Sequence, residues 1–384
     1  MKKIIILLAF LLCMPAFSQR SRDTIFSEKL NMDREFTVSL PLSYSKNKDR
    51  KYPLLLLLDG EYLLDAYDGA LAYGNYWDDL PEVIIVAVNQ NSGQQKERNA
   101  DSVMDEEGLP TESGAAFFDF IGTELLPAVE KKYRLSPFRI IGGHDVTAGF
   151  LNLFLYKENP LFNAYICFSP EFGEQMMERI PVMLQTTKKP IFYYLASGDG
   201  DLKKNLASMR TLDQNIKTIL HPNVYYEYDE FKGASHYSLV LYGIPNSLYH
   251  IFGQYQPIST AEFQEKIVKM EKGYVDYLVK KYEIIEKSYG MKMPIRLGDF
   301  KAIEAAIIKN NAFEEFEKLA GLAKKSYPKS MLSQYEMGMF YEKTGDTKKA
   351  AKAYQNAYLM DEIGDLTKDM MLEKADELKK GGSK

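Results

Sequence analysis

Two short, unbroken apolar runs constrain this chain most: Leu54 to Leu58 and Val83 to Val88, each closed off by turn residues. A strand with one wet face alternates apolar and polar residues. A strand that is apolar at every position must be covered on both faces, as parallel strands are in the middle of a packed sheet. Later segments keep to this theme. Ala115 to Lys132 carries Phe117, Phe120, Ile121, Leu125 and Val129 at helical spacing, and Arg139-Ile140-Ile141 is a short strand running into Gly142-Gly143. A helix is expected from about Val146, then strands at Ala164 to Phe168, Ile191 to Leu195 and Val224 to Tyr228. Upstream, Glu35 to Leu40 alternates, as an edge or antiparallel strand would. Strands taking turns with helices specify an α/β fold with a mostly parallel, doubly covered sheet, here assigned to residues 19–256.

Beyond Pro257 the strand signal stops, and residues 257–384 read as a helical region. Thr260 to Lys287 is charged and helical in spacing. Met337, Gly338, Tyr341, Gly345, Ala350, Tyr354 and Ala357 fall at the spacings of a tetratricopeptide repeat, in which two antiparallel helices meet through small and aromatic residues. About 34 residues earlier, Ala320, Ala323 and Pro328 match, while Glu304 and Phe316 depart from the pattern. Two such repeats are fewer than an array needs to stand alone, and repeats of this kind offer concave surfaces to peptides or protein partners.

The first 18 residues read as a secretory leader. Lys2 and Lys3 form a basic start, Ile4 to Leu12 an apolar stretch too short to span a bilayer, and Ala16-Phe17-Ser18 a small-x-small cleavage site before Gln19. No later stretch approaches about 18 uninterrupted apolar residues, so no membrane span is expected after cleavage. The expected location is the periplasm or the cell surface. Cys167 would then be the one cysteine left, unable to form an intramolecular disulfide and set in the apolar run Ala164 to Phe168, where a buried structural thiol is expected. The formal charge is already −5, and losing Lys2 and Lys3 makes the balance more acidic, which argues against a nucleic-acid partner. No Cys/His cluster has zinc spacing and no glycine loop is free to cradle phosphate. Ser197-Gly198-Asp199-Gly200-Asp201 lacks the later ligands of a calcium loop. Neither metal nor cofactor is expected.

The chemistry is concentrated where strand gives way to helix, in Gly142-Gly143-His144-Asp145-Val146-Thr147-Ala148-Gly149. This resembles the Gly-His-Ser-x-Gly-Gly elbow of the putative-esterase (esterase D-like) family of α/β-hydrolases, in which a nucleophile sits on a sharp turn flanked by small residues. The likeness runs along nearly the whole chain after the leader. Leu57-Leu58-Asp59-Gly60 looks like the family's oxyanion loop, and Asn89 to Asp101, with Arg98-Asn99, looks like its substrate-side loop. Asn163-Ala164-Tyr165 to Ser169-Pro170 and Gly233-Ala234-Ser235-His236 match the family's segments downstream of the elbow, and the tail resembles members that carry tetratricopeptide repeats. The resemblance implies a nucleophile at Asp145, a base at His236 and an acid at Asp199 or Asp201. It also implies an oxyanion and substrate-binding set of Gly60, Glu61, Val146 and Arg98.

One departure decides the function. Asp145 stands where the family has serine, and Thr147 and Ala148 where it has two glycines. A carboxylate at the elbow would repel the negative charge of a tetrahedral intermediate and occupy its donors, such as the amide of Val146. Lost glycines suggest that the tight geometry is no longer required. The expected function is therefore a catalytically impaired, exported esterase-like protein that binds a small ester or acyl ligand or a protein partner. The alternative is an active hydrolase, either of acyl esters or one attacking through Asp145 with His236 activating water, as epoxide hydrolases and haloalkane dehalogenases do. A displaced serine is the third reading: Ser169, Ser197 and Ser235 lie near strand ends, where turn and cap roles are expected. His144 is expected to pack, and Arg98 to meet an acidic ligand group or a surface carboxylate.

Overall fold

The computed structural model describes residues 19–91 and 96–381, so the expected leader, residues 1–18, lies outside the described residues. The chain forms two compact units that divide between Gly253 and Gln254.

The first unit is built on one eight-stranded sheet: β1 (Arg20–Ser27), β2 (Met32–Ser39), β3 (Tyr52–Leu57), β4 (Ile84–Val88), β5 (Leu135–His144), β6 (Ala164–Phe168), β7 (Ile191–Gly200) and β8 (Val224–Ser235). Their spatial order is β1-β2-β4-β3-β5-β6-β7-β8. From β4 to β8 every pairing is parallel, while β2 joins β4 antiparallel and β1 joins β2 antiparallel. The apolar runs behave as their composition requires, since every residue of β3, β4 and β6 is buried. The alternating segment around Glu35 is the antiparallel strand β2, but it does not form the edge, because the polar β1 covers it. Cys167 is buried in β6, and burial pushes its thiol up to about 12. It behaves as an apolar side chain.

Helices connect the parallel strands, among them Gly60–Tyr76 between β3 and β4 and Lys203–Lys217 between β7 and β8, and Leu239–Ile251 follows the last strand. Because the strands are parallel, the segments leaving their carboxyl ends gather at one edge of the sheet, the usual place for a site in an open α/β fold. The residues just after β3, β5, β7 and β8 meet there.

In the second unit the expected single helix over Thr260 to Lys287 is broken. Thr260–Glu265 ends early, and Tyr274–Tyr289 starts anew after Gly273, whose φ of 85° suits glycine and ends any continuous helix. Four further helices, Leu297–Lys309, Glu315–Ser326, Leu332–Lys343 and Thr347–Tyr358, are followed by Lys368–Gly381. Gly338 lies against Tyr354, so closely that a Cβ there would overlap the ring. No helix among the described residues is long and apolar enough to cross a membrane.

Candidate active site

Strand β5 delivers the chain to Asp145, which takes φ 63° and ψ −123°, a conformation that costs a non-glycine residue on the order of 1–3 kcal/mol. Backbone hydrogen bonds hold it there. Its N–H donates to Phe168 O at 2.9 Å, and its carbonyl accepts from Gly149 N at 3.0 Å and Glu171 N at 3.1 Å. The sharp elbow thus persists without the two glycines, contrary to the expectation of a relaxed turn. The reason is the Thr147 side chain, which turns inward and becomes part of the support. Thr147 Oγ1 accepts from His144 N at 3.0 Å, donates to the buried carboxylate of Asp59, and also lies within hydrogen-bond distance of His144 O. Gly143 remains necessary, since a Cβ there would sit 2.7 Å from Thr147 Oγ1.

The Asp145 carboxylate does not turn back to cap the helix that begins at Val146. It points instead toward a cavity of about 520 Å³ lined by Tyr62, Ala66, Arg98, His144, His236, Tyr237, Val240 and Leu241 as well as Asp145 itself. His236 Nε2 lies 3.9 Å from Asp145 Oδ1, and Arg98 Nη1 lies 3.4 Å from Asp145 Oδ2. On its other edge His236 is tightly held: Nδ1 is 2.8 Å from Asp201 Oδ1 and 2.9 Å from Ser169 Oγ, and Ser169 Oγ is itself 2.9 Å from Asp201 Oδ1. Burial alone would raise the Asp201 carboxyl. Hydrogen bonds from His236, Ser169 and the Leu202 amide outweigh it and hold that carboxyl below its ordinary value.

Of the two candidate acids, only Asp201 meets His236. The pairing of β7 with β8 slips between Gly198 and Gly200, and Asp201 N bonds back to Gly198 O at 3.2 Å. The chain turns at that point, leaving Asp199 exposed with Oδ1 accepting from Gly233 N at 2.7 Å, while Asp201 swings under the histidine. Ser169 is more than a turn residue, for its hydroxyl joins acid and base. Its φ of 44° right after β6 marks it in the structure, whereas the sequence offers only a serine before a proline.

His144 braces the base. Its Nε2 is 2.9 Å from the His236 carbonyl, which can only accept, so Nε2 carries the proton and Nδ1 accepts from Tyr62 OH at 3.1 Å. Burial, then the neighbouring His236, lower its pKa, which favours this neutral form.

The oxyanion set is only partly assembled. Gly60 and Glu61 do not line the cavity; they border a separate depression of about 280 Å³ with Arg20, Arg22, Thr37, Leu64, Asp65 and Asn89. Asp59 explains this. It takes a left-handed φ of 57°, and Gly60 then packs so near β4 that a Cβ would lie 2.7 Å from Val88 O. The Glu61 side chain accepts from Asn91 N. Val146 lines another cavity, of about 560 Å³, together with Met104, Glu106, Glu171 and Phe172. Arg98 does enter the site, and its partner is internal: Nε bonds Asp59 Oδ1 at 2.5 Å and Nη2 donates to His144 O at 2.8 Å. Gln90 carries this network inward, accepting from Asp59 N at 2.9 Å and donating to Asp101 Oδ2 at 2.9 Å. Among the described residues, no group of three or more His, Cys, Asp or Glu side chains is placed to hold a metal ion.

A strained elbow after a central parallel strand, a histidine after the last strand and an acid after the one before it define an α/β-hydrolase-type protein of the esterase kind. The chain belongs to the Putative esterase family, whose sequence profile matches residues 27–229. Among solved structures it is similar to an uncharacterised protein from Capnocytophaga ochracea, with 28% identity, a TM-score of 0.84, and coverage of 94% of this chain and 100% of that one. It also shares a fold with an IroE-like serine hydrolase from Shewanella oneidensis, at 17% identity and a TM-score of 0.59 over 80% of this chain and 99% of that one. The BES protein from Bacillus cereus is a further fold relative, at 20% identity and a TM-score of 0.53 over 60% and 94% of the two chains. No match is found among curated proteins.

Proposed function

We propose that this protein is an exported member of the esterase family that binds a small ligand at the former catalytic centre and does not turn over esters. One observation carries this reading: Asp145 holds the nucleophile's place on an intact elbow, with its carboxylate set between Arg98 and His236. Attack by a carboxylate on an ester carbonyl must expel an alkoxide to leave a mixed anhydride. The aspartate is the far better leaving group, since an aliphatic alcohol is about as weak an acid as water, roughly twelve pK units weaker than the aspartic carboxyl, so the tetrahedral adduct returns to reactants. The fixed negative charge also opposes the oxyanion of that adduct. The elbow offers His236 no hydroxyl to deprotonate, because Asp145 stands in the serine's place.

The basic, apolar and small-x-small order of residues 1–18 supports export to the periplasm or cell surface. The tetratricopeptide spacing around Gly338 and Tyr354 supports a surface for a protein partner on the tail, residues 257–384, and hence a role in binding or assembly at the cell envelope. The test is turnover of short-chain nitrophenyl esters. Wild type is expected to match the His236→Ala background, and Asp145→Ser to gain activity that a further His236→Ala removes. Wild-type turnover abolished by His236→Ala would sink the proposal.

A second reading rests on the Asp201-supported His236 standing 3.9 Å from Asp145 Oδ1. Attack by Asp145 at an alkyl carbon, as on a halide or an epoxide, would leave an alkyl ester of Asp145 that His236 could hydrolyse by activating water. Incubating His236→Gln with such substrates and weighing the intact protein decides the matter, since only this reading expects a covalent adduct on Asp145.

A further inference from the structure

We propose that the cavity above Asp145 selects a ligand bearing a protonated amine on a compact apolar or aromatic body. This rests on the reading that Asp145 is a binding group and not a failed nucleophile.

The argument begins with charge. Three carboxylates surround the floor of the cavity: Asp59, Asp145 and Asp201. Against them stand Arg98 and, when protonated, His236. Arg98 is committed to Asp59 through Nε at 2.5 Å and to the His144 carbonyl at 2.8 Å. His236 is committed to Asp201 at 2.8 Å. The negative excess is two charges with neutral His236 and one with the imidazolium. His144, also on the wall, is held in the neutral form and adds nothing. The side chains of Asp59 and Asp201 are fully buried, whereas 23% of the Asp145 side chain is exposed. The uncompensated charge is therefore presented to a ligand by Asp145.

Asp145 is also poorly satisfied as an acceptor. Among the described residues, the one side-chain donor within hydrogen-bond distance of its carboxylate is Arg98 Nη1, at 3.4 Å, and His236 Nε2 at 3.9 Å is too far to bond. A carboxylate in a partly desolvated cavity gains from a close cationic donor, and a charge-assisted hydrogen bond is the strong kind. The walls suit an organic ammonium. Tyr62 and Tyr237 are 47% and 78% exposed, their rings pack edge-on around His144 with centroids 6.0 and 6.2 Å away, and Ala66, Val240 and Leu241 complete an apolar lining. Aromatic rings attract cations and repel anions at their faces. About 520 Å³ is space for a small molecule. An anion of the same shape would meet Asp145, and a neutral one would leave it with only the long contact to Arg98.

Calorimetric titration of the full chain with benzylamine, benzyl alcohol and benzoate at neutral pH and low salt tests this. Benzylamine is expected to bind at least tenfold more tightly than benzyl alcohol, with benzoate undetectable. Asp145→Asn should reduce benzylamine to the level of the alcohol, and added salt should weaken benzylamine binding to the wild type even if that variant folds poorly. Benzylamine that fails to bind, benzoate or benzyl alcohol that binds as tightly, or an affinity indifferent to salt and to Asp145→Asn would each overturn the proposal. The ester assay separates the two claims. A wild type that prefers amines yet hydrolyses esters refutes only the loss of turnover, and a silent enzyme without amine preference refutes only the ligand class.

Discussion

The Arg34–Asp101 ion pair is buried in the α/β unit, and removing half of it should damage that unit severely. Both side chains are almost completely buried, 2% and 3% exposed, and they meet through two hydrogen bonds of 2.6 and 2.5 Å. The guanidinium also lies over the rings of Phe117 and Phe120, 5.1 and 5.9 Å from their centroids. Asp101→Asn keeps the shape but leaves an uncompensated cation in the core, which costs about 3–5 kcal/mol. In a unit of this size each kcal/mol lowers the melting temperature by about 2–4 °C, so the expected fall is roughly 6–20 °C. Because Gln90 links Asp101 to the Asp59 amide, the same change should loosen the loop that carries the Arg98 contact. Replacing both partners by apolar residues, Arg34→Met with Asp101→Leu, removes the stranded charge and should recover most of the loss, since a buried pair adds little net stability over a packed apolar pair. Thermal unfolding followed by circular dichroism of wild type, Arg34→Met, Asp101→Leu and the double variant gives all four corners of the cycle, with Asp101→Asn measured beside them. A melting temperature for Asp101→Asn within about 2 °C of wild type, or a double variant no better than the single ones, would refute the reasoning.

Protonating His144 would break its acceptor bond from Tyr62, and burial lowers its pKa in the folded state. Its contribution to stability is thus complete above about 6.5, the unfolded value, and is lost as pH falls through the lower folded value. Urea midpoints measured from neutral pH downward should show that loss, and His144→Gln should flatten it; an unchanged slope would exclude His144 as its source. Gly149→Ala places a Cβ against the Glu171 carbonyl oxygen, which as backbone cannot swing away. A loss of about 1–3 kcal/mol is expected, and chemical denaturation indistinguishable from wild type would contradict it. In the helical unit, Gly338→Val drives a side chain into the Tyr354 ring and should cost about 1–3 kcal/mol. Proteolysis of the tail should report it as faster cleavage, and an unaltered digestion rate would count against the close helix contact.

The architecture and the place of its critical turn were legible in the residues alone. Runs such as Leu54 to Leu58 and Ala164 to Phe168 record burial on both faces, and that property belongs to the residues themselves. Gly143-His144-Asp145 likewise marks its own turn, because only a small residue fits at Gly143. The polar β1 left no such record, being an edge strand whose place comes from pairing with β2. Within the site, folding in three dimensions settled what local pattern could not: that Asp201 and not Asp199 supports His236, that Ser169 joins them, and that Arg98 binds Asp59 and His144 across the sheet edge. It also made Thr147 the prop of the elbow in place of a glycine. These partners lie tens of residues apart along the chain, apart from the contacts within the elbow. Periodicity reports how much of a side chain is covered, and not which distant group covers it, so their pairing is set only when the strands align in register.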